Sequence, residues 1–225
     1  MRSSRSTSGA LGPLACLLAA ALCSLASFSA AKPRPRVLFD SPLARVDAES
    51  LESMLERVGE LGWVQRYRDG SLKQATFACL VQAPPRWIWR FLTDYSHHPD
   101  FVPGLLRSEV LAVRGARIDV KVEIDLPGDK LELRLRHHHT PYERIHVELL
   151  STEGPLSLGE WRWELVPASR QDRTILCYHL HARAAGQTWL DRLAGGPAPG
   201  QVLLNTALGL QWLHAIRRQA ERERH

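Results

Sequence analysis

The stretch Arg117-Ile-Asp-Val-Lys-Val-Glu-Ile-Asp-Leu126 alternates charged and apolar side chains without a break. Successive side chains of an extended strand point to opposite faces, so this stretch is a strand with one wet face and one covered face. Pro127-Gly128-Asp129 turns the chain, and Leu131, Leu133 and Leu135 then continue an apolar face opposite Lys130, Glu132, Arg134 and Arg136. The pattern returns in Ile145/Val147/Leu149, in Trp161/Trp163/Leu165 and in Leu176/Tyr178/Leu180/Ala182. Turn signals separate these runs at Thr140-Pro141, Glu153-Gly154-Pro155 and Ala168–Asp172. With the segment that begins at Leu106 ahead of them, six strand-like segments follow one another between Leu106 and Ala184. Gly200–Arg222 then reads as a long helix, apolar nearly all round from Val202 to Ile216 except at Asn205, Thr206, Gln211 and His214. A single-faced surface helix would show a polar half there, so this helix covers the sheet. A curved antiparallel sheet closed by one terminal helix tends to enclose a cavity.

Upstream, Asp47–Leu61 has Leu51, Met54, Leu55, Val58 and Leu61 at helical spacing, with Asp47 placed to cap it and Gly62 to end it. Trp63–Arg68 and Ser71–Gln82 read as a hairpin turning at Gly70. Pro84-Pro85 breaks the second arm and starts a short helix, Arg86–Leu92, since proline is tolerated in a first helical turn. Asp94 is placed to cap a second short helix, Tyr95–Phe101, which Pro103-Gly104 stops.

The first 31 residues have the layout of a secretory leader. Arg2 and Arg5 precede a short apolar core, Leu14–Leu25, and Ser29-Ala30-Ala31 offers small residues before Lys32. Cleavage there predicts a periplasmic or secreted protein, and an uncleaved inner-membrane anchor is the alternative. A lipoprotein is disfavoured by Leu22 directly before Cys23 and by Pro13 ahead of Cys16. The division is then 1–31 leader, 32–62 extension carrying the amphipathic helix, and 63–225 main domain. The formal charge of +5 falls slightly with the leader's two arginines, and no basic stripe with stacking aromatics argues for nucleic acid. Cys79 shares a face with Phe77 and Val81, whereas Cys177 lies opposite the Leu176/Tyr178/Leu180 face. Side chains on opposite faces of a sheet cannot bridge without a bulge, so two free thiols are expected.

The local words carry a resemblance. Val81-Gln-Ala-Pro84 followed by Trp89, then Leu92-Thr-Asp-Tyr95 and Pro99-Asp-Phe-Val-Pro103, resembles the opening of the START and pollen-allergen-like (SRPBCC) superfamily. Gly159-Glu-Trp161 before a long strand, and Leu203-Leu-Asn205 in the last helix, also fit. The resemblance runs from about Gly70 to Arg218 and points to the polyketide cyclase and coenzyme Q-binding START subgroup. It implies an α+β helix-grip fold: a curved antiparallel sheet wrapped around a long C-terminal helix, with two short helices after the first long strand. Members bind lipids, quinones, sterols or polyketides, and only some are enzymes. The chain departs from the pattern at His97-His98 and in a long Gln187–Pro199 connection, which falls where the family's cavity mouth lies.

Candidate chemistry is sparse. There is no Gly-x-Ser-x-Gly, no phosphate-cradling glycine loop and no paired carboxylates on one element, so no catalytic residue is named. Of the ten histidines, His137-His138-His139 lies on a strand where only His137 and His139 share a side. Such a pair needs a further ligand to hold zinc and none is placed by spacing, so neither metal nor cofactor is expected. His179 and His181 are expected on the wet face. His137 and Tyr178 fall on the covered face, where they need partners from protein, water or ligand. The expected cavity wall is Val122, Leu133, Leu135, His137, Val147, Trp161, Trp163, Tyr178, Leu180, Leu204, Leu208 and Trp212. Trp189, Leu190 and Leu193, ahead of Gly195-Gly196, suit a lid or a membrane-touching tip, and packing of a short helix equally. These residues together suit an exported binding or transfer protein for a hydrophobic small molecule, a lipid or isoprenoid quinone, with transient membrane contact. The alternatives are a polyketide cyclase or aromatase, or a ligand-free interaction domain.

Overall fold

The computed structural model describes residues 46–126, 129–153, 156–184 and 196–224. The leader, the turn residues 127–128 and 154–155, and Trp189, Leu190 and Leu193 lie outside the described residues. Helix α1 (Ala48–Val58) starts where the Asp47 carboxylate accepts the Ser50 amide at 2.8 Å. It ends earlier than its apolar spacing suggests, because Gly59 takes φ 82° and not Gly62. Leu61 therefore belongs to strand β1 (Glu60–Arg66), which forms a hairpin with β2 (Leu72–Val81).

Pro85 opens α2 (Pro85–Thr93), whose Ile88, Phe91 and Leu92 are buried. A 3-10 turn, Tyr95–His97, and the single-turn helix α3 (His98–Phe101) follow. Asp94 does not cap them. Its carboxylate is taken by His97 Nδ1 at 2.7 Å, an i,i+3 pair that competes with the backbone amides. Six strands follow: β3 (Leu105–Arg114), β4 (Arg117–Leu126), β5 (Asp129–Thr140), β6 (Arg144–Glu153), β7 (Leu156–Pro167) and β8 (Thr174–Ala184). The chain closes with α4 (Pro197–Arg222). No described helix is long and apolar enough to cross a membrane.

All eight strands form one antiparallel sheet in the order β1-β2-β8-β7-β6-β5-β4-β3. The long-range β2–β8 pairing attaches the N-terminal hairpin to the meander. α4 packs on the inner face against β2 and β8, with Leu213, Ala215, Ile216 and Ala220 buried. The Trp87 indole donates to the Ala220 carbonyl at 3.0 Å and pins α2 to the end of that helix. This is the α+β helix-grip fold.

The outer face is not uniformly wet. Over β4 and β5 it carries cross-strand ion pairs, among them Lys121–Glu132 at 2.7 Å and Arg136–Asp119 at 2.8 Å. Over β2 and β8 it is covered by α1, whose Leu51 and Leu55 pack with Ala78, Leu80, Ile175 and Cys177. Glu52 accepts the Ser169 amide at 2.6 Å and fastens α1 to the β7–β8 turn. His179 and His181, expected in solvent, are 0% and 1% exposed. His179 bonds Thr76 Oγ1 and Glu164, and the His181 Nδ1 bonds the Lys73 carbonyl. Strand alternation assigns a face but not what lies on it, and Trp63 of β1 packs with this outer cluster beside them. Cys79 and Cys177 are free and buried, Cys79 in the inner core and Cys177 in the outer cluster.

Candidate functional site

Between the inner face of the sheet and α4 lies an apolar cavity. Val120, Val122 and Ile124 of β4 and Leu131, Leu133 and Leu135 of β5 line it as facing pairs. His137, Val147 and Trp161 continue the floor across β5, β6 and β7 in one row of partners. Trp163 stacks on Tyr178 with ring centroids 3.8 Å apart and planes 16° from parallel. Leu208 and Trp212 of α4 form the roof, and Leu92, Tyr95 and His98 close one side.

Of the wall expected from sequence, all but Leu180 and Leu204 come together here. Leu180 is fully buried beneath Gly209, and Leu204 packs half-buried against the core without lining the cavity. Val120, Ile124 and Leu131 were legible in the same alternating stripes. Leu92, Tyr95 and His98 were not, because their position depends on how the short helices fold back onto the sheet.

The polar groups here are few and neutral. His98 Nε2 donates to the Phe91 carbonyl at 2.8 Å, and its ring meets Tyr95 and Trp212 edge-on, each 5.4 Å away. Burial pushes its pKa down to about 4. The Tyr95 hydroxyl bonds His139 Nε2 at 2.6 Å, so that side chain points its polar end away from the cavity. His137 stands 4.5 Å from the Tyr95 ring, is 8% exposed, and finds no hydrogen-bond partner at either ring nitrogen. Burial first, then the neighbouring His98 and His139, hold it well below the ordinary imidazole range. Burial likewise raises the Tyr95 and Tyr178 hydroxyls. No group of three or more His, Cys, Asp or Glu suited to a metal occurs among the described residues.

The cavity is small in this state, about 70 Å³. That is room for a few waters and well short of the roughly 300–1,000 Å³ of a ligand pocket. The roof residues Leu208 and Trp212 are half-buried, as is Leu135 of β5, whereas the rest of the lining is buried. A wider trough of about 920 Å³ lies among Pro84, Trp87, Tyr142 and Arg224. It is open to solvent and presents no buried polar group lacking a partner among the described residues.

The buried histidines make stability depend on pH. The unfolded chain binds a proton at His98 near the ordinary value of 6.5, whereas the folded one does so only at about 4. Stability is therefore full above pH 6.5 and falls by about 1.4 kcal/mol per pH unit from there toward pH 4. His137 acts in the same direction. Urea midpoints at pH 7, 6 and 5 should decline steadily, with His98→Gln removing part of the slope. Equal midpoints would contradict the neutral, buried state of these rings.

Residues 81–206 match the family described as polyketide cyclase / dehydrase and lipid transport. Among curated proteins none matches the chain. Several solved structures are similar. The ZhuI aromatase/cyclase from Streptomyces sp. R1128 aligns with a TM-score of 0.58 at 19% identity, covering 68% of this chain and 95% of that one. A protein from Thermus thermophilus gives 0.55 at 17% identity, covering 65% and 96%. A STAR-related lipid transfer protein from Xanthomonas axonopodis gives 0.54 at 15% identity, covering 72% and 93%. At these identities the likeness is one of fold.

Proposed function

Because the chain belongs to the polyketide cyclase / dehydrase and lipid transport family, we propose that it carries a hydrophobic small molecule, a lipid or an isoprenoid quinone, between the sheet and α4. The observation that carries this reading is His137. It is a buried side chain, bare at both nitrogens, in a wall otherwise made of aliphatic and aromatic groups. Buried polar groups in native proteins are almost always hydrogen-bonded, and a ligand oxygen is the partner this position calls for. Tyr178, in the same wall, is the second orienting group. Apolar burial supplies affinity at about 25 cal/mol per Å² before the costs of binding. Uptake requires Leu208 and Trp212 to swing outward, since the resting cavity is too small for such a molecule. The leader-like residues 1–31 support a site of action outside the cytoplasm. On that reading the mature protein begins at Lys32, which its intact mass would report.

The test is to purify the protein without detergent and compare native with denaturing mass spectra. A stoichiometric co-purifying lipid or quinone is expected. Leu208→Arg places a guanidinium in the roof and should abolish retention while the far-UV spectrum stays native. Leu203→Arg, on the exposed side of the same helix, should retain the ligand. Retention by both variants would remove α4 from the binding wall.

Two other readings each have an observation behind them. The small resting cavity favours a packed interaction domain, which would emerge bare from every preparation and take up no lipid or quinone. A cyclase or aromatase, the activity named for the Streptomyces neighbour, would use the neutral His137 as acid–base group. It would turn over a polyketide-like chain and lose that turnover in His137→Leu.

A further inference from the structure

The carrier reading leaves open which hydrophobic molecules are admitted, and on the strength of that reading the wall narrows the choice. Among the described residues that line the cavity, none is Asp, Glu, Lys or Arg. The titratable side chains present are Tyr95 and His98 from the short helices, His137 from β5 and Tyr178 from β8. Two of these are already committed elsewhere: Tyr95 to His139, and His98 to the Phe91 carbonyl. The next charged pair near β5, Asp119 with Arg136, is held together across β4 and β5 at 2.8 Å.

A charged headgroup entering this space would give up its water and find no counter-charge, which disfavours it strongly. A neutral imidazole, by contrast, has one N–H to donate and one bare nitrogen to accept. That suits a carbonyl, an ester or a hydroxyl. We propose that the cavity selects hydrophobic molecules bearing an uncharged oxygen group, recognised by His137, and rejects the carboxylate and ammonium counterparts of the same body. Burial in the apolar wall favours the neutral form of His137, and no other group in the lining supplies a counter-charge.

The test uses one chain length and varies only the head. Octane, 1-octanol, 2-octanone, octanoate and octylamine are titrated into the protein purified without detergent, at pH 7.5. Binding is read from the fluorescence of the wall tryptophans Trp161, Trp163 and Trp212 and from the thermal midpoint. The alcohol and ketone should bind at least tenfold more tightly than octanoate or octylamine. As pH falls toward the carboxyl's own pKa, apparent affinity for octanoate should rise about tenfold per unit, because the acid enters only when protonated. His137→Leu should erase the advantage of alcohol over octane, whatever it does to the affinity for octane itself. Equal binding of all five would overturn the selection while leaving carriage standing. Tighter binding of octanoate than of octanol at pH 7.5 would also overturn it, and would mark His137 as a cation. Binding of none would remove the carrier reading and this proposal together.

Discussion

Gly209→Leu should lower the thermal midpoint by roughly 10 °C or more. Gly209 is buried on the face of α4 that meets the sheet. A Cβ placed there would lie 2.4 Å and 2.6 Å from the Phe77 ring and 3.0 Å from Leu180 Cδ2. Phe77 and Leu180 sit on the paired strands β2 and β8 under α4, 3% and 0% exposed, so neither has room to retreat. Outside this contact glycine is a poor helix residue, worth about 1 kcal/mol less than alanine. Here the close approach outweighs propensity. A leucine must lift α4 off β2 and β8, adding the ~1–3 kcal/mol of overpacking to loss of the contacts that bury Leu213 and Ile216. At ~2–4 °C per kcal/mol for a domain of this size, about four kcal/mol or more gives the stated shift. Gly209→Ala already places that Cβ against the Phe77 ring and should also destabilise, though by less than leucine, because it adds no atoms beyond the methyl. Ala207→Leu, on the exposed side of the same helix, should be close to neutral. A Gly209→Leu protein that melts with the parent would mean that helix and sheet do not approach this closely.

Asn205→Ala should cost about 2–4 kcal/mol and free one particular amide. The Asn205 side chain is fully buried and makes three bonds of 2.8 Å. Its oxygen accepts the Ala182 amide, and its nitrogen donates to the Ala182 and Gln201 carbonyls. The bonds replace a missing piece of sheet. Pairing of β2 with β8 stops at Ala75–Leu180, and Asn205 then serves Ala182 as the neighbouring strand would. Removing the amide leaves a buried N–H without a partner, a penalty of ~1–3 kcal/mol, and weakens the hold of α4 on β8. Gln201 still donates to the Ala182 carbonyl at 3.0 Å, which bounds the loss from above. Hydrogen exchange reads the site directly: the Ala182 amide, protected in the parent, should exchange quickly in the variant. Protection unchanged at Ala182 would show that the amide has another partner.

Much of this architecture is legible in the sequence. Alternation in residues 117–126, and in the runs after it, specifies strands and their inner stripes, because a pleated backbone allows only two side-chain directions. The same rule turned His137 and Tyr178 inward and separated Cys79 from Cys177 to opposite faces. The breadth of apolar surface on residues 202–216 identified a helix covered on more than one side. What periodicity cannot specify is the neighbour each face meets. His179 and His181 have the spacing of wet residues yet are buried on the side of the sheet that α1 covers. Asp94 has the type and position of a cap, but the imidazole three residues on took its carboxylate. Leu180 faces inward with the cavity stripe, yet Gly209 brings the helix down onto it. The size of the cavity and the bare nitrogens of His137 likewise depend on how the strands, the short helices and α4 come together. They are sums over contacts between elements far apart in the chain, and only the packed structure sets them.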